Sequence, residues 1–374
     1  MNRKDFIKTS TLSMLALSAF GLNPGCSNIS RDSITPCEQH SPVLNILGKE
    51  KSDIFHYASL APSSHNIQPW KVRIIDNSNF EITIDTSRIL RAVDPAMREI
   101  YISMGTFLEN LLQASESYGY KCSYSIKTEG DFFISLKMEK SNDSSKINNE
   151  NLERIALRRT LRKNYLSKPV PESIIRDLFA EDYDNILYFP QQSMQSRLIA
   201  DATFSANRIQ VNNSASQKEL SEWIRWSNSD AKEHMDGLTP ATMEIDGLSG
   251  FFVRSFYDKE NVMSEGFKKQ TLGLVKEQLD QFGNWIIITT KDNSEASLIN
   301  AGMIYERAML RIRERNIAFH PMSQAIEEKE IYQSLKKSLN IDGCIQFIIR
   351  AGYVEEYQKP VSLRRPVEAF IVIE

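Results

Sequence analysis

Cysteine is scarce in this chain: Cys26, Cys37, Cys122 and Cys344 are the four present in 374 residues. None forms a Cys-x-x-Cys pair, and they stand too far apart for a zinc site. The five histidines, His40, His56, His65, His234 and His320, show no His-x-x-x-His spacing either, so no metal is expected. Excess positive charge is also missing. Lys plus Arg number 45 against 48 Asp plus Glu, a formal charge of −3, and without a broad cationic field nucleic acid is excluded as a partner. No apolar run reaches about 20 residues, so no transmembrane span is expected in the mature chain. What remains is an ordinary globular composition, 41% hydrophobic and 25% charged, enough for one large core or two smaller ones.

Against this background one segment stands out, Ala61-Pro62-Ser63-Ser64-His65-Asn66-Ile67-Gln68-Pro69-Trp70. Two prolines keep it out of a helix and bias the residue before each toward extended backbone. Between them lie short hydroxyl and amide side chains, donors and acceptors suited to the polar edge of a flat fused-ring cofactor. A capped helix end running through an ordinary loop into a strand uses the same residue types.

The segment resembles the flavin-contacting loop of the FMN-dependent nitroreductase family, whose pattern Ala-Pro-Ser-Ser-x-Asn-x-Gln-Pro-Trp it matches at every specified position. Two further stretches are similar to that family's arginine signatures: Leu157-Arg158-Arg159-Thr160-Leu161-Arg162, with Thr160 in a serine position, and Ser362-Leu363-Arg364-Arg365-Pro366. Arginine binds phosphate bidentately and keeps its charge. The resemblance implies that Pro62, Ser63, Ser64 and Asn66 orient FMN and that Arg158, Arg159, Thr160, Arg162 and Arg364 anchor its tail. It also implies that Pro321, Met322, Ser323 and Gln324 supply the backbone facing flavin N5. No separate catalytic side chain is implied, because the flavin carries the chemistry. A lone His320 beside apolar residues reads first as a core group.

In a single nitroreductase domain the first arginine signature precedes the Pro-Ser-Ser strip; here it follows. A partial repeat accounts for this, since Ile102-Ser103-Met104-Gly105-Thr106-Phe107-Leu108-Glu109 and Ile299-Asn300-Ala301-Gly302-Met303-Ile304-Tyr305-Glu306 share Gly and Glu in register and run toward breaks at Gly119 and Asn316. The fold class expected is α+β, two tandem nitroreductase-like halves at 51–150 and 151–374 forming an intramolecular pseudo-dimer, monomeric, with one FMN between the halves. A reciprocal strip is missing; Phe204-Ser205-Ala206-Asn207-Arg208-Ile209 is at best a relic.

At the N-terminus, Asn2-Arg3-Lys4-Asp5-Phe6-Ile7-Lys8 and the apolar Leu12 to Leu22 form the n- and h-regions of a signal peptide over 1–26. It resembles a twin-arginine signal with Lys4 in place of the second arginine, and Cys26 is a lipidation candidate. Export to the periplasm or a membrane surface is expected, with a cytoplasmic location left open; residues 27–50 read as a linker.

Local patterns predict a hairpin at Lys71 to Ile75 and Phe80 to Asp85, strands at Asn284 to Thr290 and Ile345 to Arg350, and helices over 50–60, 96–118, 171–180, 215–235, 265–280 and 295–315. The stretch from Met235 to Phe252 has no clear period and reads as a lid or a surface loop. Three functions follow. The first is electron transfer from NAD(P)H through FMN to a nitroaromatic, quinone or similar small acceptor. The second is FMN sequestration beneath a lid, as in the Acg-like branch that the fused halves resemble, and the third a cofactor-free interaction protein.

Overall fold

The structure is a computed structural model that describes residues 42–127, 134–141, 147–245, 253 and 258–373. The first half opens with helix α1 (Pro42–Ser59), broken at Gly48, whose φ of 70° is left-handed. The hairpin of β1 (Trp70–Ile74) and β2 (Asn79–Ile84) follows, its turn closed by Asp76 Oδ1, which accepts from Ser78 N at 2.7 Å and Asn79 N at 2.8 Å. Next come α2 (Arg98–Ser117), β3 (Tyr120–Ile126) and β4 (Ile134–Lys140).

The second half contains α3 (Asn149–Leu157), α4 (Glu172–Phe179) and β5 (Ile186–Pro190), then α5 (Met194–Gln210), α6 (Ser214–Glu222), α7 (Asn228–His234) and α8 (Glu265–Asp280). It ends with β6 (Asn284–Thr290), α9 (Glu295–Ile312), β7 (Ile317–Pro321), α10 (Gln324–Glu327), α11 (Lys329–Ser338), β8 (Cys344–Tyr353) and β9 (Ile371–Val372).

Two sheets result, ordered β3-β4-β2-β1-β9 and β5-β6-β8-β7. Leaving β9 aside, both follow one connectivity with antiparallel neighbours throughout. Strand β9, the end of the second half, crosses over and pairs parallel with β1, Val72 against Ile371. The chain is therefore an α+β protein of two like-ordered halves, tied together by its own C-terminus.

Between the halves, α2 and α9 cross. Every α2 residue from Ile100 to Leu111 is buried, the all-round burial of a helix enclosed on every side rather than one with a solvent face. The crossing point is Gly105 against Gly302. A Cβ on Gly302 would lie 3.1 Å from Gly105 Cα, and one on Gly105 would lie 3.1 Å from Gly302 Cα. One apolar core runs through both halves, from Val43 to Ile371.

Several sequence expectations need amendment. The first helix begins at Pro42, so 42–50 of the expected linker is helical; residues 1–41, with the expected signal, lie outside the described residues. The 215–235 helix is two helices, α6 and α7, separated where Trp223 takes a non-helical conformation. Phe204 to Ile209 lies inside α5, with Asn207 Nδ2 spent on Thr203 O, and so resembles no strip. Helices α3, α5, α10 and α11 were not expected from the sequence pattern.

Candidate functional site

The Pro-Ser-Ser strip is a tight turn. Ser63 is extended (φ −145°), but His65, Asn66 and Gln68 have φ of 47°, 55° and 53°, left-handed backbone that costs a non-glycine residue about 1–2 kcal/mol. Proline rigidity does not impose this; hydrogen bonding from far away in sequence does. Arg364 donates to Leu60 O, Ala61 O and Asn66 Oδ1 at 3.0, 3.0 and 2.8 Å. Arg365 N donates to Gln68 Oε1 at 2.8 Å and its Nη2 to Gln68 O at 2.7 Å. Within the turn, Gln68 N donates to Ser63 Oγ at 2.9 Å.

The first arginine segment divides its duties. Arg158 is buried and paired with fully buried Glu306 at 3.0 Å. Arg159 pairs with Glu244 at 3.4 Å and donates to Lys359 O. Arg162 donates from its backbone to Glu244 Oε2 at 3.0 Å and from Nη1 to Thr242 O at 2.9 Å.

These segments meet at a cavity of about 370 Å³, within the usual range of small-molecule sites. Among the residues that the sequence singled out, Pro62, Ser63, Ser64, Thr160, Arg162, Pro321, Ser323 and Gln324 line it. Asn66, Arg158, Arg159, Met322 and Arg364 stand back from its wall. Their polar groups are committed inside the protein, Asn66 also donating to Gly237 O at 3.0 Å, and Met322 belongs to the second, smaller core. The structure thus brings three segments to one cavity, with one of the four arginines expected to anchor the tail, Arg162, on its wall.

Sequence reasoning missed half of the lining. Helix α2 contributes Arg98, Glu99, Ile102, Ser103 and Thr106; α5 and α6 contribute Gln210, Gln217 and Leu220; α9 and β8 contribute Tyr305, Gln346 and Phe347. The available signal was the polar set Glu99, Ser103 and Thr106, spaced four and three apart along one face of the helix.

Two histidines line the cavity, and burial lowers the pKa of both. His320 lies well below its ordinary value, burial first and the charges of Arg350 and Arg162 second. Its Nδ1 is 3.3 Å from Arg350 Nη2. Arginine can only donate, so Nδ1 accepts and the ring proton sits on Nε2.

Residues 235–245 form a strap between the walls. Gly237 exchanges hydrogen bonds with Asn66, its N donating to Asn66 O at 3.2 Å, and Leu238 lines the cavity. Glu244 holds Arg159 and the Arg162 backbone. Asp236, 1% exposed, anchors the strap through Arg225 at 2.6 Å and Arg88 at 2.8 Å. At Gly237 φ is +71°, and a Cβ would meet Trp223 O at 2.5 Å, so only glycine fits. Residues 246–252 of the expected lid lie outside the described residues.

Fold and cavity together define an α+β protein of two like-ordered halves with a polar site between them. No family model matches the chain. It is 23% identical over 325 residues to a probable NAD(P)H nitroreductase, PigM, of Serratia sp. (strain ATCC 39006), covering 82% of this chain and 89% of that protein. It is 22% identical over 320 residues to a Mycobacterium tuberculosis protein provisionally named NAD(P)H nitroreductase acg, covering 83% and 92%. Among solved structures, the FMN-dependent nitroreductase NfnB from Mycobacterium smegmatis, in complex with NADPH, aligns over 59% of this chain and 96% of its own, at 12% identity and a TM-score of 0.37. A nitroreductase-like family protein from Bacillus cereus aligns over 59% and 94%, at 10% identity and a TM-score of 0.34.

Proposed function

We propose that this chain is an FMN-dependent oxidoreductase of the nitroreductase kind, taking electrons from NAD(P)H and passing them to a nitroaromatic, quinone or similar small acceptor. One observation carries the reading: the Pro-Ser-Ser turn, the Thr160 and Arg162 segment and the Pro321 to Gln324 corner, far apart in sequence, line a single cavity. Two relatives matched over most of their length are named as NAD(P)H nitroreductases, which supports it. The donor set fits a flat cofactor with an anionic tail. Hydroxyls of Ser63 and Thr160 and the guanidinium of Arg162 would hold the polar and phosphate portions; Ile102, Leu220, Leu238 and Phe347 offer apolar surface for a ring. When bound, FMN would supply hydride transfer, leaving the protein to orient it, limit water and manage protons.

In this reading Arg158 and Arg364 are positioning residues. Arg364 holds the turn that presents Ser63 and Ser64, and Arg158 sets Thr160 through a 3.4 Å hydrogen bond. The two like-ordered halves would be a dimer made covalent, divided near residue 150, with one site because the second half has no such turn. Residues 1–26 would direct export and be removed.

The test is the absorbance spectrum of the purified protein, then titration of the apoprotein with FMN. Arg162→Ala should weaken FMN binding about tenfold to a hundredfold, the cost of one charge-assisted hydrogen bond. A colourless protein that takes up no added flavin would refute the proposal. The strap favours a second reading, sequestration of FMN with little turnover. Stopped-flow bleaching by NADPH decides between them, since a sequestering protein keeps its flavin oxidised.

A further inference from the structure

Beside the Pro-Ser-Ser turn the cavity wall holds two carboxyls, Glu99 at the start of α2 and Glu327 at the end of α10, hydrogen-bonded side chain to side chain. Their other partners fix where the proton lies. Glu99 Oε1 accepts from Arg98 Nη2 at 2.9 Å, and Glu99 Oε2 accepts from Ser64 Oγ. Both Glu99 oxygens are therefore acceptors, as in a carboxylate. Glu327 Oε2 accepts from Gln210 Nε2 at 2.6 Å. The contact between the acids needs a donor, and with both Glu99 oxygens engaged by Arg98 and Ser64 the hydrogen falls to Glu327. Like charges this close cannot both ionise in a low-dielectric site.

A second polar group on the same wall is left partly unsatisfied. Gln346 is fully buried, and its Nε2 is spent on Thr290 Oγ1 at 2.8 Å and Asn293 Oδ1 at 2.7 Å. Its Oε1 has no hydrogen-bond partner among the described residues.

We propose that Glu327 is the proton donor to the electron acceptor, its proton stored on the Glu327–Glu99 pair until the acceptor is reduced. This deepens the flavin reading above and rests on it. Reduction of a quinone to hydroquinone takes one hydride and one proton; reduction of a nitro group to nitroso and water takes the same. A bound flavin reduced by NAD(P)H would supply the hydride. The proton leaves Glu327 as its O–H bond breaks and an O–H bond forms on the acceptor oxygen. Arg98 and Ser64 hold the Glu99 charge while Glu327 is briefly ionised, and water then restores its proton.

The electrostatic surroundings agree. Burial, then the Glu99 charge, push Glu327 well above the carboxylate range, against the opposing pull of Arg98 and Gln210. Burial also pushes Glu99 upward, but Arg98, Ser64 and His65 outweigh it and hold Glu99 below the ordinary value. Asp94, facing Glu99 from the turn before α2, and Glu219 of α6, facing His65, complete the charged set.

The experiment is infrared difference spectroscopy of the flavin-loaded full chain, paired with stopped-flow kinetics. The expected result at pH 7 is a protonated carboxylic-acid carbonyl band that shifts in D2O and vanishes in Glu327→Gln. That variant should reoxidise with a quinone about a hundredfold more slowly relative to its own reduction by NADPH, and its reoxidation should lose the solvent-deuterium effect. Absence of the band in the wild-type protein overturns the proposal without needing any variant to fold. So does unchanged reoxidation in a Glu327→Gln protein that still binds flavin. A colourless protein that retains a band lost in Glu327→Gln overturns the donor role through the flavin reading, and that Glu327-dependent band distinguishes the failure from an error about the pair.

Discussion

Replacing Gly302 with alanine adds one methyl group where α2 and α9 cross, and the packing there leaves it no room. The new Cβ would fall 2.9 Å from the Ile102 carbonyl carbon and 3.1 Å from Gly105 Cα, both backbone atoms in a fully packed helix. No rotamer relieves a backbone clash, so the helices must separate. Overpacking of this kind costs about 1–3 kcal/mol, and two unyielding backbones put it at about 3. Alanine returns about 1 kcal/mol in helix propensity, leaving a net loss of about 2 kcal/mol and a fall in Tm of about 4–8 °C. Gly273→Ala is the matched control. Gly273 lies in α8, exposed and with nothing within 4 Å of an added Cβ, so there only the propensity gain remains and Tm should rise by about 2–4 °C. Thermal unfolding followed by circular dichroism, with reversibility checked, measures both. Gly302→Ala melting at or above the wild-type temperature would refute the close crossing, and with it the account of how the halves are joined. Because α2 also carries Ile102, Ser103 and Thr106 on the cavity wall, a separated pair should bind flavin less tightly.

Other outcomes follow from the same interactions. Burial pushes Glu306 up to about 7 despite its pairing with Arg158. Its folded value lies above the unfolded one, so its contribution to stability is full below about pH 4.5 and is lost as pH rises through 7. The stability of the wild type relative to Glu306→Gln, from denaturant unfolding, should therefore fall between pH 5 and pH 8, by at most about 3 kcal/mol. Asp236→Ala leaves the guanidinium groups of Arg225 and Arg88 without their shared carboxylate, a loss of about 3–5 kcal/mol for a buried pair. Its signature should be faster proteolysis within 235–245 and faster flavin release, with global Tm falling less than a core defect would require. Arg364→Ala should lower flavin affinity through the turn it holds, whereas Arg364→Lys, unable to reach three acceptors with one planar fork, should restore only part of it in an FMN titration.

How much of this was legible beforehand depended on the range of the interaction. Strand β6 was legible from Asn284 to Thr290 because a β-branched run of that length has few alternatives. Helices α2, α4, α8 and α9 were legible from their apolar spacing. Helix α5 was not, since Met194 and Leu198 are exposed and blur its pattern. The strip was legible as a ligand-facing candidate partly from its residue types, and the first arginine segment and the β7–α10 corner through the family resemblance. Which of their side chains reach the cavity was not. Arg158, Arg162 and Arg364 look alike in sequence, yet Glu306 claims the first, the carbonyls of Leu60 and Ala61 claim the last, and only Arg162 comes to the wall.

By itself the sequence determined what is local: the apolar periods that make helices and strands, the glycines at positions 105 and 302, the polar residues between two prolines and the supply of arginines. Tertiary structure alone decided what is non-local. It set three left-handed residues in the turn, laid β9 across onto β1, and brought Glu327 against Glu99, a pair more than two hundred residues apart in the chain. The physical reason is that burial and hydrogen-bond partnership, which fix a side chain's charge and direction, belong to the space around it and are not written in the identity of its neighbours along the chain.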